Sequence, residues 1–286
     1  MPSITINSKK TTHTVYGALL RNALLFNEPL PILPNSTLNQ KFEVAQDQLP
    51  IGLEKPVVQY FGIGLNGVIQ DIGVGGLYRT KYREYQPRWG SQLLAFPFLM
   101  RPVTEDLTVD ERAYFRMRKI IEKDGIVYAA YYLRRIDLSL SRTEVEYRTT
   151  VDGNVVSTDW EPELADLNPL PLEVNPNAVL TTGDDYLSVT RKVDLVFTPN
   201  DIQELLMCSE ILYGDSSYAN ISELVAVSGI ERSVQSDFNG IQLSYTESVY
   251  AQVNAFIKTF MSAPNQLDGA TIKVDVGANE PLLIVS

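Results

Sequence analysis

The chain has 286 residues, 44% hydrophobic and 21% charged, with a formal net charge of −11. This is a globular profile with enough chain for a sizeable buried core, and it excludes intrinsic disorder. An acidic field of this size disfavours sequence-independent attachment to phosphates or anionic membranes.

The first predicted element is an amphipathic helix over residues 15–26, "VYGALLRNALLF". Val15, Leu19, Ala23 and Phe26 share one face, and Thr14 stands where an N-cap belongs. Residues 27–56 follow as an extended arm, because Pro29, Pro31 and Pro34 deny it a helix or ladder of its own. The arm is nonetheless apolar at Leu30, Ile32, Leu33, Leu38 and Phe42, and these side chains need cover from water. We expect a neighbouring subunit or partner protein to supply that cover; the alternative is a long surface loop lying on its own domain.

Strands are predicted from residue 57 onward. "YFGIGLNG" contains Gly62, Gly64 and Gly67, which spell G-x-G-x-x-G. A dinucleotide site requires a helix to begin inside that motif. Gly73, Gly75 and Gly76 would break such a helix within two turns, so the glycines read as structural, permitting bulges and close backbone approach. "YRTKYREYQPRWG" then interleaves Arg79, Arg83 and Arg88 with Tyr82, Tyr85 and Trp89. The pattern can grip single-stranded nucleic acid, but the acidic whole favours a protein partner, for which these residue types are the usual anchors.

Thr108 and Glu111 form a capping-box pattern for a short helix. Asp124-Gly125 and Asp152-Gly153 each separate β-rich runs and predict hairpins. The stretch 161–182, with Pro162, Pro169, Pro171 and Pro176, reads as a linker or second arm, and "TTGDDY", which overlaps its end, as a turn. Thr198-Pro199-Asn200-Asp201 opens a helix that ends at Gly214. "ISELVAVSGIERSV" and "LSYTESVYAQVNAFIKTF" are strands, the second alternating with period two from Val249 to Lys258. "ATIKVDVG" is a last short strand, followed by an apolar tail. The fold class is therefore α+β and β-dominated, with antiparallel sheets, a few short helices and long proline-rich extended arms. The domain layout read from these signals is 1–56 as N-terminal helix and arm, 57–160 as a first β-rich lobe, 161–182 as linker and 183–286 as a second α+β lobe.

Chemistry is sparse. His13 is the only histidine, which excludes a multi-histidine metal site, and we expect neither cofactor nor metal nor catalytic residue. Cys208, the only cysteine, reads as a helix core residue and forbids an intrachain disulfide. Asp184 and Asp185 are a carboxylate pair of a kind expected by chance among 35 acids. No charged-then-apolar leader opens the chain and no apolar run is long enough for a bilayer, so we expect a soluble product of a cytoplasm with no membrane partner. Residues 79–135 hold twelve Lys/Arg against seven Asp/Glu, a net of +5 that leaves −16 elsewhere. Such asymmetry suits head-to-tail contact between copies, although a solvated surface explains it as well.

"YFGIGLNG", "RKIIEKDGIVYAAYYLRRIDLS", "YLSVTRKVDLVFTPNDIQELLMCSEILYGD", "ISELVAVSGIE" and "YTESVYAQVNAFI" together resemble virion structural proteins of tailed bacteriophages. The resemblance is to neck or baseplate components of contractile-tailed phages and covers most of the chain. It implies a non-enzymatic, multi-copy protein in a six- or twelve-fold ring, located in the virion, contacting other virion proteins and no specific nucleic-acid sequence. The alternatives are a β-rich carbohydrate- or host-binding module and a glycosidase working through paired carboxylates.

Overall fold

The structure is a computed structural model, and it describes residues 4–72, 78–84, 93–139, 141–161, 163–164, 180–238 and 241–285. In chain order the elements are β1 (Ile4–Lys10), β2 (Thr12–His13), α1 (Val15–Leu25), α2 (Leu38–Phe42), β3 (Val57–Gly64), β4 (Val68–Ile72), β5 (Tyr78–Tyr82), β6 (Ala95–Phe96), β7 (Leu99–Pro102), α3 (Val109–Arg112), β8 (Phe115–Lys123), β9 (Ile126–Arg135), β10 (Thr143–Val151), β11 (Asn154–Asp159), β12 (Leu180–Phe197), α4 (Pro199–Tyr213), β13 (Asn220–Phe238), β14 (Ile241–Ser262) and β15 (Ala270–Val285). This is the expected β-dominated α+β class, built on antiparallel pairs.

Local signals produce the short-range geometry. The Thr14 hydroxyl accepts from the Gly17 amide at 3.1 Å and caps α1. Reciprocal capping boxes start α3 at Thr108–Glu111 and α4 at Thr198–Asp201, and α4 ends on Gly214 in the left-handed region. Asp124 and Gly125 take φ of 52° and 77°, the pair of positive angles that a two-residue hairpin needs, and so join β8 to β9. Asp152 and Gly153 do the same for β10 and β11.

The described contacts divide the chain into two units, residues 1–138 with 194–274 and residues 139–193 with 275–286. The expected lobes at 57–160 and 183–286 are thus cut across by the observed grouping. Long-range strand pairing is the reason: β3 lies beside β13, so the two halves of the larger unit are sewn together across more than 150 residues of chain. Of the predicted linker at 161–182, most falls outside the described residues, and Leu180 already begins β12. "TTGDDY" is not a turn but the start of β12, whose Tyr186 and Leu187 pair with Arg148 and Tyr147 of β10. The Tyr147 hydroxyl donates to Asp185 at 2.7 Å, so an acid that reads locally as a turn former is held by a cross-strand partner. The last strand, likewise expected to be short, runs from Ala270 to Val285.

In the larger unit the sheet has the order β2-β14-β13-β3-β9-β7, with β6 against β3 and β8 against β9. On one side of it Phe61, Phe98 and Phe197 make a ring cluster with centroids 5.0 to 6.4 Å apart. From α4, Ile202, Leu205 and Cys208 are fully buried. β13 and β14 pair from Asn220↔Ser262 to Phe238↔Ile241, interrupted by three register shifts. The period-two pattern of β14 marks two faces, and both are covered. Tyr250, Gln252, Asn254 and Phe256 are as inaccessible as Val249, Ala251 and Val253.

The arm supplies the second cover. Leu30 packs with Leu20, Ala23 and Tyr250, and Leu38 and Phe42 are also buried. The Phe42 ring stacks on Tyr132 at 4.4 Å. The polar groups on that face of β14 are answered by the arm and its neighbours. Tyr250 Oη donates to Pro31 O at 2.9 Å, Gln252 Nε2 to Ser36 Oγ at 3.0 Å, and Ser228 Oγ to Asn254 Oδ1 at 2.8 Å. The expectation that Leu30, Leu38 and Phe42 await a neighbouring subunit is therefore corrected. Their cover is their own sheet, because a buried polar face must be satisfied somewhere and the arm satisfies it.

Candidate docking surface

The arm's inner side fixes what its outer side presents. Thr37 and Gln40 form a capping box that starts α2 within the proline-rich stretch. Asn39 then works as a clamp, its amide donating to Val44 O at 2.9 Å and to Ser248 O at 2.8 Å. Its Oδ1 accepts from the Ala251 amide at 2.8 Å. Further along, Arg232 donates to Leu49 O at 2.8 Å and pairs with Glu54. These tethers leave Ile32, Leu33, Leu49, Ile51 and Leu53 facing outward, with Ile51 74% exposed. A recess of about 330 Å³ lies among them, bounded by Ile32, Leu33, Pro34, Thr37, Leu49 and Tyr250. Of the five arm residues singled out in the sequence, three are anchors and two, Ile32 and Leu33, are accessible.

The basic and aromatic stretch forms a second locus. Tyr82 and Arg83 are exposed at the end of the β4–β5 hairpin, and the Arg83 amide donates to Gly67 O at 2.8 Å. Arg79 lies in β5 opposite Asp71. Tyr85, Arg88 and Trp89 lie outside the described residues. Tyr82 and Arg83 border a cavity of about 640 Å³ that also takes in Glu223 and Lys258. Neither of these two was marked from the sequence. The available signal was a charge set inside an apolar run, as in "ISELVAV".

Much of the positive charge of 101–135 is answered within the chain. Arg101 forms a forked pair with Glu204, Arg134 pairs with Asp201 at 2.9 Å, and Arg116 and Arg135 both reach Glu231 at 2.7 Å. Lys119 approaches Glu43 at 3.6 Å, and Arg112 and Arg118 share Asp106. Asp106 lies within the segment itself; the other balancing acids come from α4, β13 and the arm, far away in sequence but adjacent in the fold.

The remaining chemical candidates have structural surroundings. Burial pushes the Cys208 thiol well above its usual range, with Glu204 acting in the same direction. His13 sits in β2 opposite Ala255. At the glycine motif, Gly62 and Gly64 lie inside β3, and a methyl at Gly67 would meet the Ser222 carbonyl oxygen at 1.9 Å. No helix opens from the motif; β4 follows it. Gly67 serves backbone approach, whereas Gly62 and Gly64 make room chiefly for neighbouring side chains.

One family model matches the chain over residues 1–286. The chain belongs to DUF7208, a family of unknown function. Curated proteins and solved structures give no match. On this DUF7208 chain the outer side of the arm carries exposed apolar side chains on a segment held in place by buried tethers.

Proposed function

We propose that this DUF7208 chain is a non-enzymatic structural protein of a tailed-phage particle, present in several copies and docked to its neighbours through the outer side of the arm. The observation that carries the reading is the exposure of Ile32, Leu33, Leu49, Ile51 and Leu53 on a segment whose inner side is pinned to β14. Each such side chain contributes roughly 1.5–3 kcal/mol when fully removed from water. Ile32, Leu33 and Leu49 border one recess, and clustered exposed apolar surface on a folded domain is characteristic of association sites. Because the tethers already order the segment, little conformational entropy is lost on docking. The resemblance to neck and baseplate proteins supplies the particle and the ring; the arm supplies the contact.

The experiment is assembly of particles carrying Ile51→Asp together with Ile32→Ser. We expect a folded protein that no longer enters particles, whereas wild-type protein is seen in multiple copies by imaging of the assembly. Normal incorporation of the double variant, or a single wild-type copy per particle, overturns the reading.

A further inference from the structure

Glu223 of β13 and Lys258 of β14 stand directly opposite each other in the ladder. On the other side of Glu223 its partner is Gly64, and a methyl there would come within 2.4 Å of the carboxylate. The missing side chain lets the Glu223 carboxylate settle into the sheet, where only 2% of the residue is exposed. Its Oε2 accepts from the Leu94 amide at 3.0 Å and from the Asn66 amide at 3.1 Å. These two donors answer the carboxylate without the lysine. Among the described residues the Lys258 ammonium nitrogen is buried and has no hydrogen-bond partner.

An ammonium removed from water without a partner is costly, more so than a neutral donor in the same place. The cavity of about 640 Å³ beside it lies within the ~300–1,000 Å³ range of ligand pockets. Among the described residues its charged lining is Lys81, Arg83 and Lys258 against Glu84 and Glu223. Burial pushes the Glu223 carboxyl up, against the two amides it accepts from; with both carboxylates ionised, one positive charge among the described residues remains in excess. A monoanion balances it, and a dianion leaves the cavity negative.

We propose that this cavity binds a carboxylate, received by the Lys258 ammonium and the Arg83 guanidinium. The guanidinium fork matches the two oxygens of a carboxylate, and the lysine, which also lines the cavity, adds a point charge. Burial lowers the affinity of Lys258 for its proton, and Arg83 acts in the same direction, against Glu223 and Glu84. A bound carboxylate relieves both pressures. The site is separate from the outer side of the arm and does not depend on the docking reading.

The test uses the full chain with lysine side chains isotopically labelled for NMR. The Lys258 resonance is assigned by its loss in Lys258→Met, and acetate is titrated against chloride at equal ionic strength, with inorganic phosphate in parallel. We expect a saturable shift of the Lys258 signal with acetate, absent with chloride and weaker with phosphate. Arg83→Gln should weaken the acetate response at least tenfold. Arg83 is exposed, so this variant keeps the fold and carries the test through thermal stabilisation by acetate if Lys258→Met does not fold. An unmoved resonance, equal shifts with chloride, tighter binding of phosphate, or an acetate response unchanged in Arg83→Gln overturns the proposal.

Discussion

Gly67 shows how a single residue decides between two readings of one motif. Its amide donates to Ser222 Oγ at 2.8 Å, and its α-carbon lies so close to β13 that a methyl would sit 1.9 Å from the Ser222 carbonyl oxygen. That obstacle is backbone in a paired strand and cannot swing aside as a side-chain tip would. Gly67→Ala should therefore destabilise the protein by on the order of 3 kcal/mol, the upper part of the usual range for forced overpacking. Urea denaturation measures it, and a midpoint equal to wild type would remove the close-approach explanation. The motif and its structural role were legible in the sequence as three glycines with no helix to follow. Which strand they accommodate was not, because β13 lies more than 150 residues further along the chain.

At the scale of elements, the arm joins two behaviours within thirty residues. Phe42 is buried and stacked on Tyr132, whereas Ile51 is three-quarters exposed. Phe42→Ala should cost roughly 3–5 kcal/mol, the range for truncating a packed aromatic ring. Ile51→Asp should change stability by no more than about 0.5 kcal/mol, as surface substitutions do. Denaturant midpoints for the two variants compare them directly, and the reverse ranking would mean that the inner and outer sides have been misassigned. The prolines and apolar residues of the arm were plain in the sequence. Which of them point inward was set by Asn39 and Tyr250, whose hydrogen bonds to opposite partners fix the rotation of the segment on β14.

Across the whole molecule, the two units differ in what holds them. The larger has an extensive apolar core, whereas β10 and β12 of the smaller meet around Glu146, which lies among Ser157, Arg148 and Lys192. The Ser157 hydroxyl, Arg148 and Lys192 hold its pKa down to about 2 against the opposing effect of burial. In the unfolded chain the group titrates near its ordinary value of about 4.3. A depressed folded pKa contributes stability that is complete above the unfolded value and is lost as pH falls toward the folded one. Stability of the wild-type protein should decline between about pH 4.5 and pH 2, and Glu146→Gln should flatten that part of the profile. Denaturant melts across this range check it, and parallel profiles for the two proteins would exclude the Glu146 contribution.

Caps, two-residue turns and helix ends depend on a few consecutive residues, and the sequence by itself determined them at Thr14, Thr108, Asp124-Gly125, Asp152-Gly153, Thr198 and Gly214. The β-dominated class followed from the same local signals taken together. Only the tertiary structure decided where the charges of 101–135 are answered, which side of β14 the arm covers, how the chain divides into units, and that Glu223 lies opposite Lys258. Each of these is a matter of register between segments far apart in sequence. Register is set by the joint packing and hydrogen bonding of whole strands, which no short window of residues contains.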